Sequence, residues 1–343
     1  MTFSDNITSI TQDKIIPKVV DTVLNASPLT LRILGNQKSW QGVTLGIPIK
    51  YAQNDQGMFF DGLDKFNTAK VETRIKMYFS PTACNMPIVI SGMERDINAG
   101  QEKVLDLIKL ECASSAQDMV DNISDAFYGL QSGKSFLGLR DICDDGTSIT
   151  TYGGLARATY TGLAGNITTS SGATTVAKWA TMFDKCTKGA DQPDYIITTA
   201  SIFRTYEALC TPVFNVSTNG YAQFTRTGVA TSTAALGGQQ GFNALYFRGK
   251  PVVIDEKCPS GYTYFLSDKH LAFYGIKSTK YTSIGFSSSD IESSQGDLPK
   301  TTGFAWSGLQ MPIDQYGEVG QIVLMGDLIS DSPRHLGLLS GAT

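Results

Sequence analysis

Residues 98–129 read NAGQEKVLDLIKLECASSAQDMVDNISDAFYG, and this stretch decides the fold. Leu105, Ile108, Cys112, Ala116, Met119, Ile123 and Phe127 recur at spacings of three and four, which puts them on one face of a helix. Lys103, Asp106, Asp118, Asp121 and Asp125 fall largely off that stripe. Asn98 suits an N-cap, and Gly129 suits a C-terminal stop. A helix over about 99–128 would span roughly 42 Å at ~1.5 Å per residue. That is more than twice the average globular length, a stiff beam across a lobe.

On its N-terminal side, VTLGIPIKY (43–51) and VETRIKMYF (71–79) each alternate with period two. Val43, Leu45, Ile47 and Ile49 share one face; so do Val71, Thr73, Ile75, Met77 and Phe79. Two such runs predict an extended hairpin. The connection between them contains KYAQNDQGMFFDGLDKF, residues 50–66. Asn54, Asp55, Gly57, Asp61 and Gly62 are turn formers, so this segment belongs at the surface. Yet it carries Met58, Phe59, Phe60, Leu63 and Phe66, which are costly there unless something covers them. A connection of this length points to function. Residues 1–36, broken at Pro17 and Pro28, read as an arm with too little apolar sequence for a core of its own.

Beyond the beam, residues from about 150 to 258 turn to Thr, Gly, Ser and Ala. TTVAKWATMFDKCTKG (174–189) reads as a helix, DYIITT (194–199) as a strand, and SIFRTYEALC as a second helix. Residues 215–241 read as a loop, and ALYFRGKPVVIDEKCP as two strands about a turn at Gly249. YTYFL, GFAWSGLQM and VGQIVLMGDLI are strand-like. The stretch after Ser330 is read as a polar, Gly-rich tail.

The chain of 343 residues carries a net charge of −4, so no sequence-wide basic footprint marks it as a nucleic-acid reader. Charged residues are 17%, low against a typical ~25%, in keeping with surface buried between subunits. Cys84, Cys112, Cys143, Cys186, Cys210 and Cys258 are scattered, without a C-x-x-C pair or a nearby His, and are expected as free thiols in a reducing compartment. The start lacks a basic, then apolar, signal pattern, and no apolar run approaches the ~18 residues of a membrane span. A soluble cytoplasmic product is expected.

The search for chemistry yields no catalytic, cofactor or metal residue. His270 and His335 are the only histidines. A hydrolase site built on His270 lacks a G-x-S-x-G nucleophile elbow. GLQSGKSF fails as a phosphate loop, because Gly129 stands one residue too near Gly133 and a helix precedes it. DICDDGT (141–147) clusters Asp141, Asp144 and Asp145 without the alternating ligands and closing Glu of a calcium loop; its D-G is a turn signal.

The order of arm, long hairpin, beam helix, Thr/Gly-rich lobe and terminal strands resembles the major capsid proteins of tailed bacteriophages, whose Johnson fold is shared with herpesvirus capsids and encapsulins. IIPKVVDTVLNASPLTLRILG, the beam segment, FLGLRDICDDGTSITTYGGLARATY and RGKPVVIDEKCP all look like stretches of that family, over roughly residues 5–330. The resemblance implies an α+β fold with five parts. These are an N-terminal arm (1–36), an E-loop region (37–85), a peripheral domain with a spine helix (86–150 and 259–329), an axial domain (151–258) and a C-terminal tail (330–343). It implies a structural protein and not an enzyme. Such a protein assembles in the bacterial host cytoplasm into the hexamers and pentamers of an icosahedral virion shell around double-stranded DNA. Expected partners are copies of itself, a separate scaffolding protein, a portal and cement proteins; no membrane is involved. The E-loop would lie over an adjacent subunit, so Met58, Phe59, Phe60, Leu63 and Phe66 become intersubunit contacts. Lys50 and Lys65 stand where some members place a crosslinking lysine, but no matching asparagine or glutamate is found, and no bond is expected. An encapsulin-like nanocompartment is the alternative, and a cytosolic hydrolase the more distant one.

Overall fold

The computed structural model describes residues 27–57, 59–97, 107–210, 245–276, 282–283, 304–307 and 309–342. The expected beam is the helix Leu107–Tyr128, about 33 Å long at ~1.5 Å per residue. Its N-terminal part, 98–106, lies outside the described residues, as do 1–26 of the arm and the 215–241 loop. Met119, Ile123 and Phe127 of the expected stripe are fully buried. Phe127, Phe136 and Phe273 meet in a three-ring cluster with centroids 5.6–6.2 Å apart.

In chain order, α1 is Pro28–Gly35, capped by the Ser27 hydroxyl and opened by a proline at its first position. It packs on its own chain's core through Leu29, Ile33 and Leu34. The Thr30 hydroxyl meets Ser124 Oγ at 2.7 Å; Ser124 itself donates to the Val120 carbonyl, so Thr30 is the donor. Strand β1 is Lys38–Trp40, β2 Leu45–Lys50, β3 Arg74–Phe79 and β4 Thr82–Ser91. Then follow α2 (Gly92–Ile97), the beam α3 and the short α4 (Leu139–Ile142). The next elements are β5 (Thr151–Tyr152), β6 (Leu155–Ala156), β7 (Asn166–Gly172), α5 (Val176–Cys186), β8 (Tyr195–Thr198) and α6 (Ala200–Cys210). The last are β9 (Leu245–Phe247), β10 (Lys250–Ile254), β11 (Thr263–Leu266), β12 (Leu271–Ile276), β13 (Thr282–Ser283), β14 (Phe304–Trp306), β15 (Gly317–Ser330) and β16 (Gly337–Ala342).

Two six-stranded sheets organise these elements. The first runs β1-β12-β15-β14-β13, with β4 also paired to β15. Its longest seam is antiparallel, from Thr82 opposite Gly326 to Ser91 opposite Gly317. The second runs β7-β16-β11-β8-β10-β9. Here period two sorts side chains between two cores. Tyr195, Ile197, Tyr264, Leu266 and Leu338 face the main core. Ile196, Phe265, Leu339 and Val252 face a second core, where α5 supplies Trp179, Met182 and Phe183, and α6 supplies Ile202, Phe203 and Tyr206. The expected turn between β9 and β10 is present, with Arg248 and Gly249 both at positive φ.

The tail reading is corrected. Gly337–Ala342 is a central strand, parallel to β7 and antiparallel to β11. Glycine and serine mask its pattern, but Leu338 and Leu339 are buried on opposite faces. Likewise β11, from the stretch placed with the peripheral part, belongs to the second sheet, because Tyr264 and Phe265 also face opposite cores. DICDDGT behaves as a turn. Asp144 Oδ1 accepts from the Gly146 and Ile149 amides, Asp145 Oδ1 from Thr147, and Asp141 Oδ2 from Gln131 and Gly138. Buried Arg157 donates to the carbonyls of Asp141, Ile142 and Asp144, closing the loop.

One buried carboxylate joins the parts. Asp255, after β10, accepts from the Ser27 hydroxyl, from the Tyr128 hydroxyl at 2.7 Å and from the Lys257 amide at 3.0 Å. It ties the start of α1, the end of the beam and the second sheet together. Asp255→Ala leaves two buried hydroxyls unmatched and should lower subunit stability by about 2–4 kcal/mol, whereas Tyr128→Phe should cost about 1 kcal/mol. Urea unfolding of both variants measures this; equal losses would mean that Asp255 is no hub.

Candidate assembly surface

The hairpin of β2 and β3 is antiparallel, Leu45 opposite Phe79 through Lys50 opposite Arg74. Its apolar face is the expected one. Met77 and Phe79 are buried, and Leu45, Ile47 and Ile49 pack beside them. Val43, placed on that face by its spacing, is instead exposed, because it precedes the paired strand. The base is seated firmly. The Tyr78 amide donates to the Gly153 carbonyl at 3.0 Å, and the Phe79 ring meets Tyr152 edge-on at 5.3 Å. Gly153 has φ +56°, and a Cβ there would stand 2.7 Å from Met77 Cβ, so only glycine allows this approach. At the upper end, Tyr51 packs edge-on to Tyr160 at 5.1 Å and donates from its hydroxyl to the Glu72 carbonyl at 3.0 Å.

Beyond Tyr51 the chain is held by local polar contacts. Asp64 Oδ2 accepts from the Asp61 amide at 3.0 Å, and the Asp64 amide returns to the Asp61 carbonyl at 3.2 Å. Asn54 and Asn67 each accept from the amide two residues on. These turns leave the apolar side chains outside. Phe59 and Leu63 are fully exposed, and Phe60 and Phe66 are 63% and 59% exposed while touching each other at 4.9 Å. Four of the five residues singled out from the sequence therefore share one uncovered tip; Met58 lies outside the described residues. A second exposed apolar group was missed. Val89, Met93, Ile97, Met311, Ile313 and Tyr316 are exposed around α2 and the start of β15. Gly92, packed beneath the Tyr316 ring, and the Tyr316 hydroxyl donating to Asp96 fix that corner. No period marks it, because its residues come from three separate elements.

A cavity of about 370 Å³ lies where the hairpin base meets the body, lined by Tyr78, Phe79, Asp141, Tyr152 and Asp327 among others. Burial, with a smaller contribution from Asp141, pushes the Asp327 carboxyl up to about 7, although the Leu137 and Leu328 amides donate to it at 2.8 and 2.9 Å.

Comparison with solved structures gives the fold a class. A chain of the cyanophage A-1(L) capsid asymmetric unit is 15% identical, with 99% of this chain covering 100% of that one at TM-score 0.68. A chain of the capsid of Myoviridae phage XM1 is 10% identical over 99% of both chains, at 0.56. A chain of the holo encapsulin complex from Synechococcus elongatus is 11% identical over 100% of this chain and 96% of that one, at 0.57. No protein-family model and no curated protein sequence matches. This chain thus has the α+β fold of phage capsid and encapsulin subunits along its whole length.

The folded-state pKa of Asp327 lies above its ordinary 3.8, so folding favours the protonated form. Stability held below pH ~4 is then lost as pH rises toward ~7, by at most about 4 kcal/mol. Asp327→Asn keeps the acceptor for both amides. It should stabilise the subunit at pH 8 and lose that advantage by pH 4, as read by denaturant midpoints at the two pH values. An advantage unchanged with pH would contradict the assignment.

Proposed function

We propose that this chain is a major capsid protein that assembles into the hexamers and pentamers of a phage head around double-stranded DNA. The observation that carries this reading is the bared apolar tip of the hairpin, on a chain that matches shell subunits from end to end. On this reading 37–85 is the E-loop, α3 is the spine helix of the peripheral domain, and the second sheet with α5 and α6 is the axial domain. That axial unit takes in β11 and β16 as well as the 151–258 segment. The role is structural, with no catalysis, and its place is the virion.

The physical argument is one of coverage. Met77, Phe79 and Gly153 hold the base of the hairpin, so its tip projects from its own subunit. Covering each of Phe59, Phe60, Leu63 and Phe66 with a neighbouring copy contributes about 1.5–3 kcal/mol where burial is complete. Repetition around a ring converts modest contacts into a stable shell. A net charge of −4 suits a container that holds DNA by confinement more than by contact. Scaffolding, portal and cement proteins are the further partners this reading entails. The whole-chain similarity to the encapsulin supports a second reading, a nanocompartment shell. The content of purified particles, nucleic acid or protein cargo, separates the two.

Phe59→Ser with Phe60→Ser should leave folded subunits, judged by circular dichroism, but few closed particles by negative-stain electron microscopy. Wild type under the same conditions should give uniform hollow shells. Shells of unchanged yield and thermal stability from the double variant would refute the role of the tip. A wild-type chain that stays monomeric, alone and with its phage's other head proteins, would refute the shell.

A further inference from the structure

Three connections meet beside the second sheet: the α5–β8 loop with Asp191, the turn into β12 with His270, and the short 3-10 turn before β16 with His335. The two imidazoles stack, with centroids 4.1 Å apart and 10° between planes. His270 Nδ1 stands 2.8 Å from Asp331 Oδ1, and its Nε2 stands 3.4 Å from Asp191 Oδ2. His335 is only 4% exposed, and its Nδ1 has no hydrogen-bond partner. One ligand atom from each of Asp191, His270 and His335 lies within 4.8 Å of the other two. Leaving a ring nitrogen buried and unmatched is costly, so its retention calls for an explanation.

We propose that Asp191, His270 and His335 form a binding site for a divalent transition-metal cation of the zinc class. Two imidazoles and one carboxylate are a donor set that such an ion accepts, with water completing the coordination. Asp331 on His270 Nδ1 is the outer carboxylate that orients a ligating histidine and directs Nε2 to the ion. Two features set the cost. The rings lie parallel, so a shared ion requires one ring to turn; His270, in a turn and less buried than His335, is the one that can. Lys269 Nζ also sits on both Asp191 oxygens, at 2.7 and 2.9 Å, and must leave. Its side chain is mostly exposed, so it can swing into solvent. Once bound, the ion would pin the three connections together. The site stands apart from the shell reading and survives its failure.

The test uses the full chain stripped with a chelator and titrated with Co2+ by absorption and with Zn2+ by calorimetry. One ion per chain is expected, with visible cobalt bands and no sulfur-to-cobalt charge-transfer band, since the six cysteines of the chain are the competing ligands. Asp191→Asn and His270→Gln should each weaken binding by about tenfold or more, and Asp331→Asn by about tenfold through the orientation of His270. Lys269→Ala should tighten it. Asp191 and Lys269 lie at the surface, so their variants test the site even if His270→Gln fails to fold. Absent binding at submillimolar ion, thiolate bands, or affinity indifferent to Asp191 and Lys269 would each overturn the proposal.

Discussion

The seating of Met77 and Phe79 against Gly153 and Tyr152 is the contact on which the account depends. It closes one face of the hairpin onto the body and leaves the strands only one direction in which to continue. Without a Cβ at position 153 the two backbones come close enough for the Tyr78 amide to reach the Gly153 carbonyl. A base fixed in this way cannot fold its tip back onto the same site. The aromatic side chains between the strands are then uncovered for a structural reason, and the turn-forming residues around them keep them so.

The rest of the chain supplies a stiff frame for that projection. The ten-pair seam of β4 on β15 runs alongside the beam helix, and the second sheet uses both of its faces, each with its own core. Asp255 links the sheet, the beam and α1 through groups distant in sequence.

Much of this was legible in the sequence where a period ran long enough. The stripe from Met119 to Phe127 is buried as its spacing predicts, and on the alternating face of the hairpin Met77 and Phe79 are buried with Leu45, Ile47 and Ile49 half-buried beside them. The apolar tip was legible from contradiction, large hydrophobic side chains among turn formers. What stayed hidden lacked a local signal. Strand β16 has two leucines among glycine and serine, and β7 reads NITTSSG, so both owe their pairing to partners far along the chain. The apolar corner at Met93, Ile313 and Tyr316 and the trio Asp191, His270 and His335 exist only once distant segments have met. No spacing rule could have joined residues so far apart.

The most direct measurement is hydroxyl-radical footprinting, read by mass spectrometry, of Phe59, Phe60 and Phe66 in isolated subunits and in assembled particles. The account predicts heavy modification in the free subunit and a several-fold drop on assembly, while buried Phe79 is protected in both. Equal labelling of the tip in both states, or a tip already protected in the free subunit, would contradict it.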